Sequence, residues 1–133
     1  MDPAFLTRTE ILAIHADQLR RYGGADGIRD EGLLDSALAA PQSAFGGKFL
    51  HSGLHEMAAA YLFHLVSNHP FLDGNKRVGA VAAAVFFRLN DFELIAAEND
   101  YEKLVLGVAK GITKKPEITK FFRARARGAA RPR

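Results

Sequence analysis

Residues 78–87 read Val-Gly-Ala-Val-Ala-Ala-Ala-Val-Phe-Phe, apolar on nearly every side of a helix. No other feature constrains the fold as much. A helix without a polar face has no place on a protein surface and belongs at the centre of a bundle. The run is far short of the ~18 apolar residues a membrane span requires. A helix is predicted from about Asn75 to Asn90. Just before it, Leu54, Met57, Ala58, Tyr61, Leu62 and Leu65 recur at i, i+3, i+4, i+7, i+8 and i+11. That spacing predicts an amphipathic helix, a suitable neighbour for the central one. The chain has 133 residues, room for a single core. Strand-like alternation is scarce, so the expected fold is all-α, a compact bundle of about six helices.

The other elements follow from local signals. A first helix is predicted from about Thr7 to Tyr22, because Thr7 and Glu10 have capping-box spacing. Gly23 and Gly24 end it. Asp30 is a plausible cap for a short helix carrying Leu33, Leu34, Ala37 and Leu38, stopped by Pro41. Phe45-Gly-Gly-Lys-Phe49 predicts a small hairpin with a Gly-Gly turn. Ser52 is the expected cap of the helix that follows. That helix gives out at Asn68-His69-Pro70, since a residue before proline is biased away from helix. Two weaker helices are expected near the end. One is capped near Asn99 or Asp100, and the other begins at Pro116. From Arg123 onward Arg alternates with Ala, Gly and Pro, so a domain over 1–122 and a disordered basic tail over 123–133 are expected.

Composition narrows the function classes. Hydrophobic residues are 48% and charged residues 25%, ordinary globular values that exclude wholesale disorder. Cysteine is absent, which excludes disulfides, thiolate metal sites and cysteine nucleophiles. Any nucleophile should therefore come from a substrate. The N-terminus has neither a basic segment nor a long apolar one, so no signal peptide is read and a soluble cytoplasmic protein is expected. The net charge of +3 conceals an asymmetry. Residues 1–102 hold 8 Lys/Arg against 14 Asp/Glu, whereas 103–133 hold 10 Lys/Arg against Glu117 alone. The basic quarter suits a solvated helix and tail, a docking surface for an acidic partner segment, or contact with nucleic acid in a complex.

Chemistry concentrates in His69-Pro-Phe-Leu-Asp-Gly-Asn-Lys-Arg77. The run sits between two apolar helices and ends at a helix start, where free N–H groups and a partial positive charge attract phosphate. Gly74 lets backbone approach an anion. Lys76 and Arg77 add full charge, and Arg can hold phosphate oxygens in a fork. Asp73 offers a hard oxygen for Mg²⁺. His69 can accept a hydroxyl proton near neutral pH. The same letters also suit a plain turn and helix cap.

This run resembles the signature of the Fic/Doc superfamily, H-P-F-x-[D/E]-G-N-G-R-x-x-R. His69, Pro70, Phe71, Asp73, Gly74, Asn75 and Arg77 match it. Lys76 stands where Fic enzymes have glycine, and Ala80 where they have a second arginine. Both departures are shared by the Doc, or "death on curing", toxin branch. Glu10-Ile-Leu-Ala-Ile-His15, Arg21-Tyr-Gly-Gly24, Leu38-Ala-Ala-Pro-Gln42 and Phe45-Gly-Gly47 are also similar to Doc-type sequence.

The resemblance implies a Fic/Doc-like helical bundle and a toxin of a toxin–antitoxin module. Its implied activity is transfer of phosphate from ATP, with Mg²⁺, to a hydroxyl of a translation elongation factor, blocking protein synthesis. AMP transfer of the Fic type, or a non-catalytic corepressor role, are the alternatives. In the implied site His69 is the base, Asp73 holds the metal, and Gly74, Asn75 and Lys76 line the phosphate cradle. Arg77 neutralises phosphate in the transition state. Phe45, Gly46, Gly47 and Lys48 form a flap that aligns the target. The family's inhibitory pattern [S/T]-x-x-x-E-[G/N] is not met at Glu31 or Glu98, so a separate antitoxin is the implied partner. Contact with nucleic acid would then be indirect.

Among the other histidines, His51 and His55 share i, i+4 spacing but show no third ligand for a metal. His15 reads as a hydrogen-bonded, partly buried histidine. His64 is expected to face solvent or the motif loop.

Overall fold

The computed structural model describes residues 2–129. Six helices dominate: α1 (Arg8–Tyr22), α2 (Glu31–Ala39), α3 (Leu54–Ser67), α4 (Asn75–Leu89), α5 (Glu98–Ala109) and α6 (Lys115–Arg125). Strands β1 (Ala44–Phe45) and β2 (Lys48–Phe49) form one antiparallel hairpin. Strands β3 (Phe92–Leu94) and β4 (Ala126–Gly128) form another antiparallel pair. The fold is the expected helical bundle.

Helices α3 and α4 are its centre. Leu62, Leu65 and Val66 on α3, and Val78, Ala82, Ala83 and Phe86 on α4, are wholly buried. Each large apolar side chain so buried stabilises by about 1.5–3 kcal/mol relative to exposure. Gly79 allows the two backbones to approach closely, since a Cβ there would lie 2.7 Å from Val66 Cγ2 and 3.3 Å from the Leu62 carbonyl oxygen. The N-terminal segment is drawn in by Phe5, which stacks on Phe86 at 5.9 Å. The Leu6 amide donates to the Tyr61 hydroxyl oxygen at 2.9 Å. Burial pushes the Tyr61 phenol up to about 12.

Local chemistry sets the helix ends. The Thr7–Glu10 capping box forms, with both reciprocal bonds present. Asp30 accepts from the Leu33 amide at 2.9 Å. Pro41 lies in a 3-10 turn, Ala40–Gln42, which ends α2.

Three expectations are corrected. Ser52 does not cap α3: Gly53 holds the cap position, and the Ser52 amide instead donates to Glu56 Oε2 at 2.8 Å. The cap of α5 is Ala97, not Asn99 or Asp100, which both lie inside the helix. The chain beyond residue 122 is not simply a disordered tail. Helix α6 runs to Arg125, and Ala126–Gly128 pairs with Phe92–Leu94. Ala126 is buried, and its carbonyl is 2.9 Å from His55 Nε2. The rest of the predicted tail, 130–133, lies outside the described residues.

Candidate active site

Helix α3 ends at Ser67 with Asn68 as its C-cap, and α4 starts at Asn75. The loop between them carries every motif residue up to Gly74. Its shape depends on two left-handed residues. Gly74, the N-cap of α4, has φ +86°, a conformation that glycine adopts freely. His69 has φ +48°, which costs a non-glycine residue about 1–2 kcal/mol.

Asn75 ties the loop to itself. Its Oδ1 accepts from the Phe71 amide and its Nδ2 donates to the Phe71 carbonyl, both at 3.0 Å. These two bonds fix the amide, whose N–H then faces His69 Nδ1 at 3.4 Å. That separation is beyond the usual hydrogen-bond range and does not fix the ring's tautomer. Nε2 has no protein partner among the described residues, and the side chain is exposed. Phe71 is buried beneath the loop and stacks on His15 with ring centroids 3.9 Å apart.

No side chain caps α4. The amides of Asn75, Lys76 and Arg77 are its free first-turn donors, and the positive end of the helix dipole faces outward. Lys76 is exposed beside them. Arg77 is half-buried, with its guanidinium carbon 5.0 Å from the centroid of the Tyr22 ring. Its Nη1 is buried without a hydrogen-bond partner. A charged donor in that state costs more than about 1–3 kcal/mol unless an anion meets it. The donor set therefore fits a phosphate group.

Asp73 is exposed and half-engaged: its Oδ2 accepts from the Ala25 amide at 2.7 Å. The second carboxylate oxygen is left for a cation. Among the described residues no group of three or more His, Cys, Asp or Glu could hold a metal alone. Asp73 therefore suits Mg²⁺ only with phosphate oxygens and water completing the shell.

The segment between α1 and α2 straps this loop in place, which sequence reasoning missed. The Arg29 and Asp30 amides both donate to the Pro70 carbonyl, at 2.7 and 3.1 Å. The Leu72 amide donates to the Gly27 carbonyl at 3.0 Å. Arg29 donates from Nε to the His69 carbonyl at 2.6 Å and from Nη2 to the Asn68 carbonyl at 2.8 Å. His15 Nε2 lies 2.9 Å from the Asp73 carbonyl oxygen. The available signal was the glycine spacing. A Cβ on Gly24 would come within 3.1 Å of Asp73 Cβ, and one on Gly27 within 3.0 Å of Leu72.

The residues expected to form a flap, Phe45, Gly46, Gly47 and Lys48, lie in the β1–β2 hairpin, with Gly46 and Gly47 at φ +61° and +80°. Both central residues are left-handed, as a two-residue turn of type I′ requires. Phe45 is 83% exposed. Phe49 packs on Phe5 at 5.5 Å. Among the described residues no hydrogen bond or ion pair joins the hairpin to residues 69–77.

The remaining histidines serve packing. His15 is buried rather than partly buried, and its bond to the Asp73 carbonyl follows the expectation. His64 is half-buried and faces Lys115, with Nε2 3.1 Å from Nζ, and among the described residues no hydrogen bond joins it to the motif loop. Burial and Lys115 push its imidazole down to about 4. His55 is committed to Ala126, so it shares no ligand with His51.

The helical bundle brings together an exposed imidazole on the loop, an uncapped α4 N-terminus and an Arg77 nitrogen without a hydrogen-bond partner, a set of groups suited to a phosphate-like anion. The sequence model of the Fic/DOC family matches residues 5–87, and the chain belongs to that family. It is similar to a protein named Toxin Doc from Mycolicibacterium smegmatis, 42% identical over 82 residues. That match spans 62% of this chain and 62% of the relative's length. It is also similar to a protein named Protein kinase doc from Escherichia phage P1, 29% identical over 102 residues, or 77% of this chain and 79% of the relative.

Proposed function

We propose that this protein is the toxin of a toxin–antitoxin module and transfers phosphate from ATP to a hydroxyl of a translation elongation factor. The observation that carries the reading is the Arg77 Nη1 without a hydrogen-bond partner in the uncapped first turn of α4, which directly follows the loop that carries an exposed His69. The kinase name of the phage relative supports phosphate transfer over AMP transfer. So does Ala80, which supplies no guanidinium at the position where Fic enzymes place a second arginine clamp.

In this reading the free amides of α4, Lys76 and Arg77 hold the phosphates of the substrate ATP. The His69 imidazole takes the proton from the target hydroxyl. The hydroxyl oxygen bonds to the γ-phosphorus as the bond to ADP breaks, and ADP leaves. Arg77 stabilises the charge that develops on the transferring group. Asp73 holds Mg²⁺, which neutralises phosphate charge when bound. The hairpin of Phe45, Gly46, Gly47 and Lys48 aligns an extended target segment along its free edge. A separate antitoxin protein restrains the toxin in the cytoplasm, and any nucleic acid is met through that complex.

The test incubates the purified protein with elongation factor and ATP labelled at the γ or α phosphate. Label on the target from γ alone is expected. Label from α alone makes the protein an AMP transferase. Label from neither, with no ATP binding, leaves the enzyme reading without support and favours a corepressor role.

A further inference from the structure

The backbone of His69 lies at φ +48°, immediately after the C-cap of α3. Helices usually place glycine at such a left-handed exit, because a side chain there is strained. Here the strained residue carries the imidazole of the site, so something must hold it. Asn75 does not, as its contact with the ring is 3.4 Å. The carbonyls of Asn68 and His69 accept from the two arms of one guanidinium, Arg29 Nη2 and Nε, at 2.8 and 2.6 Å. Those carbonyls flank the peptide that sets the His69 backbone. They also lie at the negative end of the α3 dipole, where a cation is favoured. Among the described residues Arg29 makes no ion pair, so its charge is committed to this loop.

We infer that Arg29 is a positioning residue for His69: its guanidinium clamps the Asn68 and His69 carbonyls and so fixes where the imidazole meets the target hydroxyl. It does not touch the phosphates, which are left to α4, Lys76 and Arg77. The clamp is separable from the fold. The Arg29 and Asp30 amides bond Pro70 through the backbone, and those bonds survive loss of the side chain. Lysine cannot replace the fork, since a single ammonium does not reproduce two fixed N–H directions.

The inference rests on the proposed phosphate transfer, and its test has one arm that does not. Arg29→Ala and Arg29→Lys are compared with the parent protein for γ-phosphate transfer to elongation factor, for ATP affinity, and by NMR of the His69 amide and ring. Arg29→Ala is expected to lower kcat at least tenfold with ATP affinity changed less than twofold. Arg29→Lys should recover only a small part of the loss, and added guanidinium should raise the Arg29→Ala rate. The His69 resonances should shift or broaden while those of Val78 on α4 stay in place. An Arg29→Ala variant with parental kcat and unmoved His69 resonances overturns the clamp. A fall in ATP affinity matching the fall in rate overturns it too, by assigning Arg29 to the phosphates. If the parent itself transfers no phosphate, the proposed function fails, and the NMR arm alone decides the clamp.

Discussion

His69, Gly74 and Arg77 are the single positions on which the proposed site depends. His69→Ala should lower target modification by about 10²–10⁴-fold, the usual worth of a general base, with the melting temperature unchanged or raised. Equal growth inhibition by the variant and its parent on induced expression would contradict that role. Gly74 has open space around it, the nearest atom to an added Cβ being His15 Cδ2 at 3.7 Å. Its constraint is therefore its φ of +86°, and Gly74→Ala should cost about 1–2 kcal/mol in a denaturation experiment. Arg77→Gln should weaken ATP binding at least tenfold by calorimetry, because it removes a buried cationic donor that lacks a hydrogen-bond partner. The sequence points to these three residues for the proposed site through residue type alone. It does not point to Arg29, whose partners lie 39 and 40 residues away, nor to the bond from Ala25 to Asp73 across 48 residues. Contacts between distant backbone groups leave almost no trace in residue type.

At the scale of elements, α3 and α4 were legible because each is long and strongly patterned. The strands β3 and β4 were not, since three residues each give no alternation and their pairing joins Phe92 to Gly128 across the chain. The close α3–α4 crossing makes a sharp prediction. Gly79→Ala drives a Cβ to 2.7 Å from Val66 Cγ2 and should destabilise by about 1–3 kcal/mol, read from chemical unfolding. The α3–α6 contact adds a pH dependence. His64 titrates at about 4 in the folded protein against an ordinary 6.5. Between those values the unfolded chain binds more protons, so stability falls as pH drops through that window. His51 is displaced in the same direction by burial and Lys115. The melting temperature should therefore fall between pH 7 and pH 5, and His64→Gln should flatten part of that fall. A parental melting temperature level across the window would contradict it.

Across the whole molecule, the net charge of +3 is the sum of an acidic body and a basic C-terminal quarter. The two parts are folded together, with Arg123 on α6 paired to Glu56 on α3 at 3.1 Å. The proposed chemistry lies in the acidic body, where Lys76, Arg77 and the start of α4 make a local positive site. No described helix is long and apolar enough to cross a membrane. A chain ended after residue 122 should melt several degrees lower, because it loses β4, the buried Ala126 and the partner of His55. In the proposed reaction residues 69–77 pass one phosphate from ATP to a protein hydroxyl. Intact-mass spectrometry of elongation factor after incubation with this protein and ATP tests it most directly. A mass gain of a single phosphate is expected, absent with His69→Ala. A gain of an AMP group, or the same phosphate gain from His69→Ala, would contradict it.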